Sequence, residues 1–166
     1  RRALAAGVPA SKIVYSGVAK TDREIRYALS HDILQFNVES EQELVAIDTA
    51  ATELGKVARI AIRINPDVDA GTHDKISTGK YENKFGIAID IARDAYALAG
   101  NLPGIEVRGV DLHIGSQITN LQPFTDAFTG IAELIEELRS DGHTIDSLEL
   151  GGGLGIIYGD TEAYAP

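Results

Sequence analysis

Apolar runs rich in β-branched residues alternate with helix-patterned segments along nearly the whole chain, and this alternation restricts the fold more than any other feature. Ile13-Val14-Tyr15-Ser16 is a short apolar run closed by Gly17. Thr21-Asp22-Arg23-Glu24 then reads as a capping box, with Ile25, Ala28 and Leu29 at helical spacing behind it. Ile33 to Val38 is the next strand candidate, and Ser40-Glu41-Gln42-Glu43 reads as a second capping box. Leu44, Ile47, Ala51 and Leu54 follow on one face, with Gly55 as the stop. Val57 to Ile64 is a strand ending at Asn65-Pro66, Ile89 to Ala99 a helix stopped by Gly100, and Ile105 to Leu112 a strand. Phe124, Phe128, Ile131, Leu134, Ile135 and Leu138 line one face of a helix begun near Pro123 and ended by Gly142. Ile145 to Leu150 is the last strand.

About five strands and four helices in strict alternation predict a parallel sheet with right-handed crossovers. A doubly wound sheet and a β/α barrel both satisfy this pattern. A closed barrel takes ~250 residues, so 166 residues supply only part of one. One long polar stretch interrupts the order, from Asp67 to about Gly86, and holds Asp69, Gly71, His73, Lys75, Thr78, Gly79 and Lys80. Loops of this length in compact domains are commonly functional or disordered.

A net charge of −10 argues against nucleic-acid and anionic-membrane partners, which need a basic face. No apolar run approaches the roughly 20 residues of a membrane helix. No apolar stretch follows Arg1-Arg2-Ala3-Leu4, so no signal peptide is expected. The absence of cysteine excludes disulfides, thiolate metal sites and a cysteine nucleophile within these residues, and fits a reducing compartment. Methionine is absent even at position 1, and Tyr164-Ala165-Pro166 follows closely on a strand. The expectation is an internal piece of a longer protein.

Two strand ends carry the chemistry. Val110-Asp111-Leu112-His113-Ile114-Gly115-Ser116 and Leu148-Glu149-Leu150-Gly151-Gly152-Gly153 each break from an apolar run into small residues. Ligands of parallel α/β proteins bind at the carboxyl ends of strands. Three glycines there either bring consecutive N–H groups to an anion or simply make a tight turn. They are not the Rossmann fingerprint, which needs Gly-x-Gly-x-x-Gly opening a helix near the first strand, nor a phosphate-binding P-loop, since no Lys-Ser/Thr pair follows. His113 can stack on a heteroaromatic ring or act as a hydrogen-bonded structural residue, and Ser116 can donate to phosphate. Arg63, between Ile62 and Ile64, points either to a polar sheet face or into a site, where it needs an acidic partner. Glu43 has capping as its expected role, worth about 1 kcal/mol. His31 and His143 are expected to be solvated, His73 lies in the polar loop, and no two histidines have metal-ligand spacing. Lys84, before Phe85-Gly86, either neutralises an acid or is solvated.

Taken in order, these motifs resemble the fold-III pyridoxal-phosphate-dependent decarboxylases, most closely the branch acting on diaminopimelate. The resemblance runs through Tyr15-Ser16-Gly17-Val18-Ala19-Lys20-Thr21, Phe36-Asn37-Val38-Glu39-Ser40 and Arg63-Ile64-Asn65-Pro66. It continues through Ile76-Ser77-Thr78-Gly79 and Lys84-Phe85-Gly86-Ile87. Its most specific pieces are His113-Ile114-Gly115-Ser116-Gln117-Ile118 and Gly151-Gly152-Gly153-Leu154-Gly155. It implies a partial TIM (β/α)8 barrel of the alanine racemase-like type, with residues 1–166 forming part of the pyridoxal-phosphate-binding domain. It implies pyridoxal 5'-phosphate as cofactor, with His113 stacked on the ring, Ser116 and the Gly151, Gly152 and Gly153 backbone on the phosphate, and Arg63 in the polar network beneath.

The implied activity is decarboxylation of meso-diaminopimelate to L-lysine by a cytoplasmic homodimer. Alternatives are a related decarboxylase of arginine, ornithine or carboxynorspermidine, a non-catalytic pyridoxal-phosphate carrier, or a barrel binding another phosphate. Asn83 stands where the family usually has Ser, and Asp111 where its relatives commonly have His. The family's Schiff-base lysine, in a Tyr-x-x-Lys-Ala strand, has no match here, so no catalytic residue is assigned; Tyr81-Glu82-Asn83-Lys84 shares only its spacing. The family's downstream β domain is likewise unmatched, and the chain alone is expected to be inactive.

Overall fold

The computed structural model describes residues 1–68 and 85–156. Asp69, Gly71, His73, Lys75, Ile76, Thr78, Gly79, Lys80, Asn83 and Lys84, with Tyr164-Ala165-Pro166, lie outside the described residues. The strands are β1 (Val14–Tyr15), β2 (Gln35–Val38), β3 (Ala58–Asn65), β4 (Ile87–Ala88), β5 (Ile105–Leu112) and β6 (Ser147–Glu149). The helices are α1 (Arg2–Ala5), α2 (Asp22–Ser30), α3 (Glu41–Glu53), α4 (Ala92–Gly100) and α5 (Gln122–Ser140). Short α1 and two-residue β4 carry too little periodicity to be read from the sequence. The expected first, second and last strands are also trimmed at their ends.

All pairings are parallel, in the order β1-β2-β3-β5-β6, with β4 beside the end of β3. Apart from β4, each strand lies next to its predecessor in the chain. A doubly wound sheet reverses direction at a switch point; this order never does. Of the two architectures the alternation allows, the sheet therefore has the winding of a barrel, and the fold is a partial β/α barrel.

The two faces of the sheet differ. Phe36, Val38, Ile60, Ile62, Ile64, Val110 and Leu112 join Ile25, Leu44, Ile47, Ala95, Tyr96, Ile131 and Leu138 in a core between strands and helices. Each fully buried Ile or Leu contributes about 1.5–3 kcal/mol. The Tyr96 hydroxyl, buried in this layer, donates to the Gly109 carbonyl at 2.8 Å and ties α4 to β5. The opposite face is polar. Register places Asn37, Ala61, Gly109 and Ser147 in one row, and Arg63, Asp111 and Glu149 in another.

That polar row depends on one irregularity. Ile60 pairs with Val107, but Ala61 pairs with Gly109, leaving Arg108 as an extra residue in β5. Side chains alternate along a strand, so one inserted residue exchanges the faces beyond it. The bulge turns Asp111 to the same side as Arg63. Without it, the apolar residues of β5 and its acid would change places.

Helix starts follow the capping chemistry in α2, where the Thr21 side chain and Glu24 complete a reciprocal box. In α3 only half of the expected box forms. Ser40 accepts from the Glu43 N–H at 3.2 Å, but the Glu43 carboxylate turns to the Glu39 N–H and to Lys20. A buried ammonium competes with the cap for this carboxylate and takes it. Leu54, expected on the apolar face of α3, is 41% exposed.

Candidate functional site

The strand ends singled out in the sequence meet at the carboxyl edge of the sheet. His113 follows β5 and is half-buried, Ser116 is exposed three residues later, and Gly151 to Gly153 follow β6. Gly151 and Gly153 have φ of +68° and +97°, a region that glycine adopts without strain. Space demands glycine as well. A Cβ on Gly153 would sit 1.9 Å from the Gly115 carbonyl oxygen, and one on Gly151 would sit 2.4 Å from the Leu112 carbonyl and 2.8 Å from His113 Nδ1. Gly152, between them, has nothing among the described residues within 4 Å of its Cβ position. Two glycines thus seat the loop against the β5 end, and the middle one faces open space.

The two loops are also bonded. The Ile118 N–H donates to the Gly153 carbonyl at 2.9 Å, and the Gly155 N–H donates to the Ile118 carbonyl at 3.0 Å. Neither bond uses the N–H groups of Gly151 to Gly153.

Arg63 has the acidic partner that its place between Ile62 and Ile64 calls for. Its Nη1 donates to Glu39 Oε1 at 2.8 Å, with side chains 15% and 4% exposed. Phe85 lies under the guanidinium, its ring centre 5.7 Å away, and Gly86 packs so closely on Arg63 that a Cβ would meet its carbonyl oxygen at 2.8 Å. Among the described residues, Arg63 Nε and Glu39 Oε2 are buried without a hydrogen-bond partner. Buried polar atoms of charged groups are costly to leave unpaired, so this pair has capacity for a polar ligand.

Electrostatics separate the two titratable groups on β5 and its end. Burial pushes the Asp111 carboxyl up to about 6, aided by Glu149 and Glu39 and opposed by Arg63. Burial, then the Arg63 guanidinium, holds the His113 imidazole below its ordinary value against the pull of Glu39. A neutral imidazole has a flat face free of charge, which suits packing on an aromatic ring.

Other histidines have local explanations. His31 Nδ1 lies 2.8 Å from the Tyr27 carbonyl and its ring is 4.2 Å from that of Tyr27. His143 is half-buried against Tyr96, with ring centres 5.8 Å apart, rather than solvated as expected. Among the described residues no cluster of His, Cys, Asp or Glu could hold a metal ion, and no helix is long and apolar enough to cross a membrane.

Sequence reasoning missed Lys20. Its side chain is 1% exposed and its Nζ reaches Glu43 Oε1 at 2.6 Å, the Asn37 carbonyl at 2.6 Å and the Gly17 carbonyl at 2.7 Å. It gathers the ends of β1 and β2 beside α3. The only signal in the sequence was its place inside a segment shared with the resembling family.

The family model described as "Pyridoxal-dependent decarboxylase, pyridoxal binding domain" matches residues 1–165. The chain is 55% identical over 159 residues to a diaminopimelate decarboxylase of Haemophilus influenzae, covering 96% of this chain and 38% of that protein. It is 50% identical over 166 residues to the diaminopimelate decarboxylase of Zymomonas mobilis, covering 100% of this chain and 39% of that one. Among solved structures, diaminopimelate decarboxylase from Helicobacter pylori complexed with L-lysine matches with a TM-score of 0.91 and 43% identity, over 97% of this chain and 41% of that one. The chain therefore spans about two fifths of the length of these relatives.

Proposed function

The chain belongs to the pyridoxal-dependent decarboxylases, and from that premise we propose that it is part of an enzyme converting meso-diaminopimelate to L-lysine and carbon dioxide. The relatives that share about half of its residues are named for that substrate. The single observation that carries the site is the seating of Gly153 against Gly115, which brings the histidine loop and the glycine loop to one place.

The residues fit pyridoxal phosphate on the structure's own terms. Gly151 and Gly153 leave no room for side chains, and Gly152 opens outward, so backbone N–H groups are what the loop can offer an anion. Arg63 Nε and Glu39 Oε2 leave unspent polar capacity beneath the strand ends. In this reading Gly151, Gly152, Gly153 and Ser116 hold the phosphate. His113 packs its neutral ring on the pyridine, and Arg63, fixed by Glu39, keeps the floor of the site charged and ordered. When bound, the cofactor supplies the electron sink that decarboxylation needs. The lysine that carries it and a β domain belong to other parts of the protein, which acts as a cytoplasmic homodimer on a small amino-acid substrate.

The test is carbon dioxide release from meso-diaminopimelate by the intact protein, alongside His113→Ala. The substitution is expected to lower turnover and loosen the cofactor, whereas the 166-residue chain alone releases none. Unchanged kinetics and cofactor retention in His113→Ala would remove His113 from the site.

A further inference from the structure

Gln117 joins the two loops in a way that Gly153 and Gly115 cannot. Its Oε1 accepts from the Ile156 N–H at 2.9 Å, and its Nε2 donates to the Ile156 carbonyl at 3.0 Å. One carboxamide thereby satisfies both backbone groups of a residue 39 positions along the chain. It does so from a φ of +56°, a left-handed conformation that is uncommon for a residue with a side chain. Ile118, next in sequence, bonds Gly153 and Gly155 through its own backbone. The glycine loop is therefore seated at its near end by close backbone packing and pinned at its far end by a side chain.

A run of glycines has the largest conformational freedom of any sequence. An anion that binds its N–H groups must order that run unless something else has already done so, and ordering on binding weakens affinity. We propose that Gln117 is a positioning residue: by clamping Ile156 it holds the Gly151–Gly155 segment in place, so that the Gly151, Gly152 and Gly153 N–H groups are set for a phosphate monoester. Gln117 need not touch the ligand. This inference rests on the reading above that pyridoxal phosphate occupies these strand ends.

The experiment measures binding of pyridoxal phosphate and of phosphate-free pyridoxal to the cofactor-depleted intact protein by equilibrium dialysis, with the 31P resonance of the bound phosphate as a second readout. Gln117→Gly adopts the left-handed backbone freely but has no clamp. Gln117→Glu keeps the acceptor for the Ile156 N–H and loses the donor. Having lost both hydrogen bonds to Ile156, Gln117→Gly is expected to bind pyridoxal phosphate about tenfold more weakly, with Gln117→Glu between it and the native protein. Pyridoxal affinity stays unchanged in both, and the 31P line broadens in Gln117→Gly. Native affinity in both variants, or equal loss of the two compounds, overturns the inference. A native protein that does not prefer the phosphorylated compound overturns the cofactor reading itself, and the role of Gln117 with it.

Discussion

Asn37 Nδ2 donates to Glu149 Oε2 at 2.8 Å, although β3 and β5 lie between the strands that carry them. Three strand spacings span roughly 14 Å in a flat sheet, far beyond the reach of these side chains. The contact exists because the sheet curls until β2 and β6 face each other across its polar side. A second bond of the same kind joins Ser147 Oγ to Gln35 Oε1 at 3.0 Å. Ala61 and Gly109 occupy the intervening strands in the row of Asn37 and Ser147. Their small size leaves the interior open for the longer side chains to meet, and a Cβ on Gly109 would already press on Ser147 Oγ.

Asn37 is fully buried and also donates to Ser16 Oγ at 2.9 Å. Replacing it by alanine removes both donated bonds and the one its Oδ1 accepts from Gln35 Nε2 at 2.9 Å, and deprives the Glu149 carboxylate of a donor. Asn37→Ala in the intact protein is expected to cost about 3 kcal/mol, read as a lower urea midpoint at unchanged slope. A midpoint within error of the native one would show that the cross-barrel contact does not hold the curl.

The glycine triplet makes a graded prediction. Gly153→Ala meets both a backbone oxygen at 1.9 Å and an unfavourable φ of +97°, and neither neighbour is a flexible side chain. It is expected to cost at least about 3 kcal/mol and to abolish cofactor retention. Gly152→Ala meets nothing within 4 Å and has no positive φ, so its stability should stay within about 0.5 kcal/mol of the native protein. Thermal unfolding of the two variants decides. If both behave alike, the triplet is a simple turn.

The alternation of strands and helices and the two chemistry-bearing strand ends were legible because both rest on local signals: apolar periodicity, a Thr-x-x-Glu cap and glycines at abrupt breaks. The winding was not, because alternation alone fits a barrel and a doubly wound sheet equally, and only the strand order separates them. What escaped were consequences of three-dimensional neighbours. Nothing in Glu106-Val107-Arg108-Gly109 announces a bulge, yet Arg108 there decides that Asp111 faces Arg63. Glu43 sat at a capping spacing, and only the fold reveals that Lys20, distant in sequence, claims its carboxylate. Arg63 could be read as needing an acid, but not which one, because Glu39 reaches it across a strand pair.

The Lys20–Glu43 pair is buried on both sides, at 1% and 9% exposure, so removing one partner strands the other. Lys20→Met is expected to cost about 3–5 kcal/mol, whereas Lys20→Met combined with Glu43→Leu should cost less than the sum of the two single changes. The Glu43→Leu single change also frees the Glu39 N–H, which Glu43 Oε2 accepts at 3.2 Å. A double-mutant cycle by chemical denaturation measures the coupling; strict additivity would show that the ammonium and carboxylate act independently.

Asp111 gives the protein an unfavourable ionisation at neutral pH. Its carboxyl is pushed from an ordinary 3.8 up to about 6, first by burial and then by Glu149. Below pH 3.8 the group is protonated in folded and unfolded chains alike. Between 3.8 and 6 the folded state holds the proton that the unfolded state has released, so stability falls as pH rises through this window and levels off above it. The charge costs on the order of 2–3 kcal/mol at pH 7. Asp111→Asn keeps the shape without the charge, and Arg63 retains its bond to Glu39. The cofactor-free variant should therefore be more stable than the native protein at pH 7, and the two should converge toward pH 4. Stability curves for both proteins, measured across this range, test the sign directly. An Asn variant less stable at pH 7 would mean that attraction to Arg63 outweighs burial and the repulsion from Glu149.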